Sequence, residues 1–286
     1  MLTVLTLCLV AGQMTATAVR GDENWPGFRG PTGQGLSTAT NLPIEWSATR
    51  NVAWKRAVPG TGWSSPVVYR GRVYLTSAVA AEGSESKDHA LVTLCMDAGT
   101  GRDVWSKQIF VQDGASSAPI HEKNSHASPT PLIEGERLYV HFGHQGTACL
   151  DLKGNVLWEN RDIRFDSGWG NGGSPIVVDD ALIFSCDGRT EQFVIALHKN
   201  TGKVLWKTPR PKIENQLKYS FCTPLLIKIA GRPQVVFPAT DVVVSYEPQT
   251  GREIWRVRYV GDSIIPRPVF GHGLVFVTTR YHSPSL

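Results

Sequence analysis

Cysteine is scarce: the chain has five in 286 residues. None are adjacent and none form a C-x-x-C pair, so a zinc site, a thioredoxin-like redox motif and a disulfide scaffold are all unsupported. Charge is modest, with 29 Lys and Arg against 25 Asp and Glu, a formal +4. The basic residues are dispersed. Their densest group, Lys207, Arg210, Lys212 and Lys218, is small and reads as a solvated loop, so no nucleic-acid partner is expected. No apolar run approaches the roughly 20 residues of a transmembrane segment. No segment keeps helical periodicity over three turns. Gly and Pro number 28 and 18, about 16% together, well below a disordered composition. What is left is a globular chain, long enough for a large core and built from strands.

The first residues read as an address rather than structure. Leu2 to Gly12 is a short apolar run, and Ala16-Thr17-Ala18 supplies a small-x-small cleavage pattern. A signal peptide over 1–18, a mature start near Val19 and a periplasmic or secreted location are expected. No Lys or Arg precedes the run, and Leu7 before Cys8 spoils a lipobox. Cleavage would leave Cys95, Cys149, Cys186 and Cys222. Each sits in an apolar, strand-like context and is expected to be a buried small hydrophobe. An oxidising compartment allows one disulfide, with no pairing assigned.

Tryptophan reveals a repeat. Trp54, Trp105, Trp158, Trp206 and Trp255 recur every 48 to 53 residues. Thr100-Gly101-Arg102-Asp103-Val104-Trp105 returns as Thr201-Gly202-Lys203-Val204-Leu205-Trp206 and as Thr250-Gly251-Arg252-Glu253-Ile254-Trp255. Lys153 to Trp158 is the same phrase with one change, and Thr49 to Trp54 is a weaker copy without the glycine. A second phrase lies between: Ser65-Pro66, Thr130-Pro131, Ser174-Pro175, Thr223-Pro224 and Arg267-Pro268 each lead an apolar pair, a turn and a second apolar run. A third strand ends at Asp97, Asp151, His198 or Glu247, and a glycine turn leads into the Trp strand. Each unit is thus four short strands.

Four-stranded units of about 50 residues suit the blades of a β-propeller, because blades packed face to face bury both faces of every sheet. The Pro-led strand would be innermost and the Trp strand outermost. Each of the five indoles would wedge against the next blade, its N–H needing a partner. The expected fold is all-β: a lead-in over 19–50, a propeller domain over 51–286, and blades at 64–108, 127–160, 173–208 and 222–257. A partial blade follows at 266–279, with 51–56 as a closing strand. An eight-bladed ring needs roughly 400 residues. The chain is therefore expected to be a truncated product forming an open arc. The alternative is a five-bladed ring in which 51–56 joins 266–279.

These phrases resemble the PQQ-like repeat, which builds the propellers of quinoprotein alcohol dehydrogenases and of the non-enzymatic scaffold BamB. Trp25-Pro26-Gly27-Phe28-Arg29-Gly30-Pro31 also looks like the lead-in of secreted PQQ-like propeller proteins with no assigned reaction. The resemblance is specific for fold and weak for function. A quinoprotein would imply PQQ with Ca²⁺, a catalytic Asp and a disulfide of adjacent cysteines. The chain lacks the cysteine pair, and no Asp or Glu matches the base, so PQQ and Ca²⁺ are disfavoured.

Other chemistry is equally thin. His121-Glu122-Lys123-Asn124-Ser125-His126 places its second His one residue too late for a zinc protease helix. His126, His141 and His144 are candidates for a metal site, but packed or hydrogen-bonded histidines are expected. No catalytic residue is assigned. The residues before each innermost strand would sit at one mouth of the channel: Trp63, His126, Asn171, Tyr219 and Arg267, with Trp169 nearby. They suit a small polar ligand or a peptide loop; the alternative is that they pack the funnel. The expected function is an exported, non-catalytic binding module acting through its faces and loops. A relative of the PQQ-dependent quinoprotein oxidoreductases, or its degenerate remnant, is the second possibility.

Overall fold

The computed structural model describes residues 24–81, 88–112 and 120–279. The expected signal peptide and its cleavage point lie outside these residues. The strands come in runs of four. The first sheet is Val67–Tyr69 (β1), Arg72–Ala80 (β2), His89–Asp97 (β3) and Asp103–Gln112 (β4). The second is Leu132–Glu134 (β5), Arg137–His141 (β6), Thr147–Asp151 (β7) and Val156–Asn160 (β8). The third is Ile176–Val178 (β9), Ala181–Asp187 (β10), Gln192–His198 (β11) and Val204–Pro209 (β12). The fourth is Leu225–Ile229 (β13), Arg232–Ala239 (β14), Val242–Tyr246 (β15) and Glu253–Arg258 (β16). Val269–Gly271 (β17) and Leu274–Phe276 (β18) form a last pair. Every sheet runs in sequence order with antiparallel neighbours, and the one helical turn among the described residues is a 3₁₀ turn at Gly143–Gln145. This is the all-β, four-plus-partial blade count that the repeat predicts.

The turn before each Trp strand explains the repeated phrase. Gly101, Gly154, Gly202 and Gly251 all have positive φ, which a side chain resists. The residue ending the third strand caps the turn. Asp97 Oδ1 accepts from the Gly99 and Thr100 amides at 3.2 and 3.0 Å. Asp151 Oδ1 accepts from the Lys153 and Asn155 amides, both at 2.9 Å. The Thr100 hydroxyl bond is the main cause holding the Asp97 carboxyl below its usual range.

Each Trp strand then carries a bulge in the same place. The register shifts after Cys95, Cys149, Ala196 and Ser245, the residues paired with the four indoles. All four partners are small, which leaves room for the ring. The extra residues are Val104, Leu157, Leu205 and Ile254, all exposed on the outer strand. A bulge on an edge strand interrupts the ladder and discourages pairing with another chain.

The core lies between blades rather than within them. Four apolar clusters bridge the first sheet to the second, the second to the third, the third to the fourth, and the fourth to the last pair. The four cysteines are free and buried in this interior. Burial pushes the thiols up, to about 11 for Cys95 and Cys149 and about 12 for Cys222.

Two expectations need correction. Residues 51–56 form no ladder with any strand among the described residues, and they pair with neither β17 nor β18. A closing strand exists only by its partner, and among the described residues 51–56 has none, so the pairing with 266–279 is not formed there. Trp54 still docks on the first blade, its N–H donating to Ala98 O. The lead-in is also more than a preamble. Trp25 pairs with Val68 of β1, Pro26 O accepts from the Ile133 amide of β5 at 2.7 Å, and Gln34 Oε1 accepts from the Phe270 amide of β17 at 2.7 Å. It therefore bonds to the innermost strands of three units.

Candidate functional site

The indoles form a belt. Nε1 of Trp54, Trp105, Trp158 and Trp206 donates to the carbonyl of Ala98, Leu152, Lys199 and Pro248 at 2.9, 3.1, 2.9 and 2.9 Å. Each acceptor lies in the glycine turn of the following blade. The ring also covers that turn's glycine: a Cβ on Gly202 would lie 2.5 Å from Trp158 Cε3. Trp255 departs from the pattern. Its N–H donates at 2.8 Å to Gln234 Oε1 of its own sheet, and no glycine turn of a further blade lies among the described residues.

The innermost strands carry a second ladder. The Ser65 amide donates to Thr130 Oγ1, the Thr130 amide to Ser174 Oγ and the Ser174 amide to Thr223 Oγ1, at 3.0, 2.9 and 2.9 Å. This is the purpose of Ser or Thr before Pro: the hydroxyl takes the neighbouring blade's amide. Arg267 occupies the same position without a hydroxyl.

Around this ladder lies the predicted mouth. The Trp63 amide donates to Ala127 O at 3.2 Å, beside His126, while its ring is 59% exposed. His126 and Asn171 line one small hollow with Ile120, Ser125, Phe142, His144, Gln145 and Gly170. Its volume is about 10 Å³, room for a single water. Trp169, 41% exposed, stacks on His121 with ring centres 4.4 Å apart and planes at 11°. Its carbonyl accepts from Asn124 Nδ2 at 2.8 Å. On its other side Trp169 leans toward buried Tyr219, centre to centre 6.1 Å, and the Tyr219 hydroxyl accepts from Arg189 Nε at 3.2 Å.

The structure brings His126 and Asn171 into one hollow, Trp63 into a backbone bond beside His126, and Trp169 against Tyr219. Arg267 is the correction. It is only 8% exposed and donates through Nη1 to Phe28 O of the lead-in at 2.8 Å, so it lies beneath the lead-in rather than at the mouth. A long side chain ahead of an innermost strand can turn into the channel, and the lead-in meets it there.

The histidines here are held neutral. Burial, then the neighbouring His89 and His144, lowers His126 to about 4. Burial lowers His141 to about 3, with His144 a smaller cause. His144 bonds through Nδ1 to Ser167 Oγ at 2.7 Å. His141 is occupied elsewhere, with Nδ1 on Thr147 Oγ1 at 2.8 Å and its ring against Phe184. Among the described residues no three His, Cys, Asp or Glu side chains are placed to share a metal ion.

Sequence reasoning missed His121, Asn124 and Arg189 as parts of the mouth, and missed the lead-in as a channel element. Two signals were present. Gly168, Gly170, Gly172 and Gly173 crowd around Trp169. Gly27, Gly30 and Gly33 recur every third residue, and a Cβ at Gly30 or Gly33 would strike Trp25 or Arg267.

Blades of this repeat, docked by indoles on the next blade's glycine, define a PQQ-like β-propeller. The chain belongs to the family described as Outer membrane protein assembly factor BamB, which matches residues 34–161, 87–235 and 191–283. Among solved structures it is similar to a europium-containing methanol dehydrogenase, with TM-score 0.59 and 12% identity over 84% of this chain and 50% of that one. It is also similar to the quinohemoprotein alcohol dehydrogenase of Comamonas testosteroni, with TM-score 0.59 and 15% identity over 92% of this chain and 47% of that one. BamB from Moraxella catarrhalis gives a TM-score of 0.46 at 17% identity, over 79% and 59% of the two chains. The chain therefore spans about half the length of the dehydrogenases it matches. No curated protein matches the sequence.

Proposed function

We propose that this chain is an exported, non-catalytic β-propeller scaffold that engages a protein partner through the loops of the channel mouth. The observation carrying this reading is the lead-in. Trp25 to Gln34 bonds to the innermost strands of three units. The lumen where a propeller enzyme would hold a large cofactor is thus engaged by the protein's own chain, and the surfaces left for recognition are the mouth, loops and rim. The hollow beside His126 and Asn171 admits about one water, which disfavours a small polar ligand sunk there and favours a peptide or loop lying over the exposed Trp63 and Trp169. Exposed aromatics beside amide and cationic groups are the residues that dominate protein contacts. Family membership favours a scaffold role, and the export address follows from the apolar run and Ala16-Thr17-Ala18. No helix among the described residues is long and apolar enough to cross a membrane.

Photo-crosslinking in producing cells tests this. A crosslinker at Trp63 or Trp169 is expected to trap one discrete protein, and one at rim residue Leu205 to trap none. Crosslinks from the rim alone would overturn the mouth assignment. The second reading is a quinoprotein oxidoreductase, favoured by the shared fold of the dehydrogenases. Dye-linked alcohol oxidation after reconstitution with PQQ and Ca²⁺ would establish it in place of the scaffold.

A further inference from the structure

Two buried arginines meet the same physical problem in different ways. Arg210 lies between the third and fourth sheets, and its charge is matched. Nε and Nη2 grip both oxygens of Asp187 at 2.9 and 2.7 Å, and Nη1 donates to Phe237 O at 3.3 Å. Arg267 is nearly as buried. It has one bond, Nη1 to Phe28 O, and its Nε is buried with no partner. Among the described residues neither Arg267 nor Arg29 has a carboxylate within ion-pair distance. The Arg29 guanidinium lies over the ring of the same Phe28, with Cζ 5.9 Å from the centroid, and burial, with the like charge of Arg29 a smaller cause, lowers Arg267 to about 10.

The guanidinium is nevertheless held in a shaped place. Gly33, at φ +65°, lies flat against it, and a Cβ there would sit 2.5 Å from Nη1. The neighbouring Gln34 side chain is tied to β17, which fixes this stretch of the lead-in. A buried cation without a counter-charge is strongly disfavoured. One water could satisfy Nε but would leave two neighbouring positive charges unbalanced. An oxyanion does both, since guanidinium N–H groups match carboxylate and phosphate oxygens.

We propose that Arg267 and Arg29 form an oxyanion site under the lead-in, in the channel, taking a small carboxylate or phosphate. It is separate from the mouth and independent of any protein partner there.

Thermal unfolding of the full chain at constant ionic strength tests the site, with chloride replaced stepwise by inorganic phosphate or by acetate. A saturable rise in Tm is expected with at least one of them; phosphate alone or acetate alone would identify the anion class. The discriminating variant is Arg29→Gln, which keeps the Arg267 bond to Phe28. It is expected to lose the saturable rise, and Arg267→Gln to lose it too. Stabilisation by solute exclusion rises without saturating and does not depend on Arg29. No saturable rise in Tm with either anion, or an equal saturable rise in Arg29→Gln, would overturn the proposal. If Arg267→Gln does not fold, Arg29→Gln decides alone. A ³¹P titration that shows phosphate binding to the parent but not to Arg29→Gln would support the site by a second route.

Discussion

The outer belt and the channel mouth are built on opposite plans. At the belt the same contact occurs four times: an indole N–H on the next blade's turn carbonyl, with the ring on that turn's glycine. At the mouth no side-chain contact repeats. Trp169 has His121, Tyr219 has Arg189, and His144 has Ser167. The belt holds neighbouring blades in register, so every blade needs the same residues. The mouth has no such constraint, and that freedom is what recognition requires.

The largest expected effect breaks the comparison from the unrepeated side. Asp187→Ala strands the buried Arg210 guanidinium, and should cost about 3–5 kcal/mol, measured by urea unfolding. A change much below this would mean that Arg210 reaches water, and that unrepeated contacts count for little.

Gly202→Ala attacks the belt. It forces a side chain to φ +69° and pushes a Cβ into Trp158, for a loss of about 2–4 kcal/mol. Gly231, also at positive φ but with open space around it, should lose only about 1–2 kcal/mol on the same change. Equal losses would remove the indole from the explanation.

Acid should act next. His141 and His126 are held neutral, with folded values of about 3 and 4. The unfolded chain binds their protons near pH 6.5 while the folded chain does not. Their contribution is fully present above about pH 6.5. It is lost as pH falls toward the folded values, at up to about 1.4 kcal/mol per pH unit for each histidine. Urea unfolding between pH 7 and 4.5 measures the slope, and His141→Asn should reduce it. An unchanged slope would place the acid sensitivity elsewhere.

The smallest effect sharpens the contrast. Trp63→Ala removes a ring that is 59% exposed and should shift stability by no more than about 0.5 kcal/mol, while abolishing the expected crosslinks at the mouth. Trp158→Phe, losing the N–H to Lys199 O and part of the buried ring on Gly202, should cost about 1–3 kcal/mol. If Trp63→Ala is the more destabilising of the two, the mouth is structural after all.

The blades were legible because repetition averages out local ambiguity. One Thr-Gly-x-x-x-Trp is weak, but several at nearly equal spacing leave few architectures. The small residues facing the indoles and the hydroxyl ladder were visible as letters but not as contacts. The mouth was half legible: position along the unit placed Trp63, His126, Asn171 and Tyr219 at one end. Arg267 obeyed the same rule in sequence and broke it in space. The residue that draws it inward, Phe28, is 239 positions away, beyond any local pattern.

The amino-acid sequence by itself determined the four-stranded unit, its order and the indole that joins one unit to the next, because these depend on neighbours one repeat apart. Tertiary structure alone decided that the lead-in bonds to the innermost strands of three units, that Arg267 lies beneath it, and that 51–56 pairs with nothing among the described residues. Those outcomes depend on which chain segments meet across the channel, and the backbone groups that make the contacts are the same in every residue.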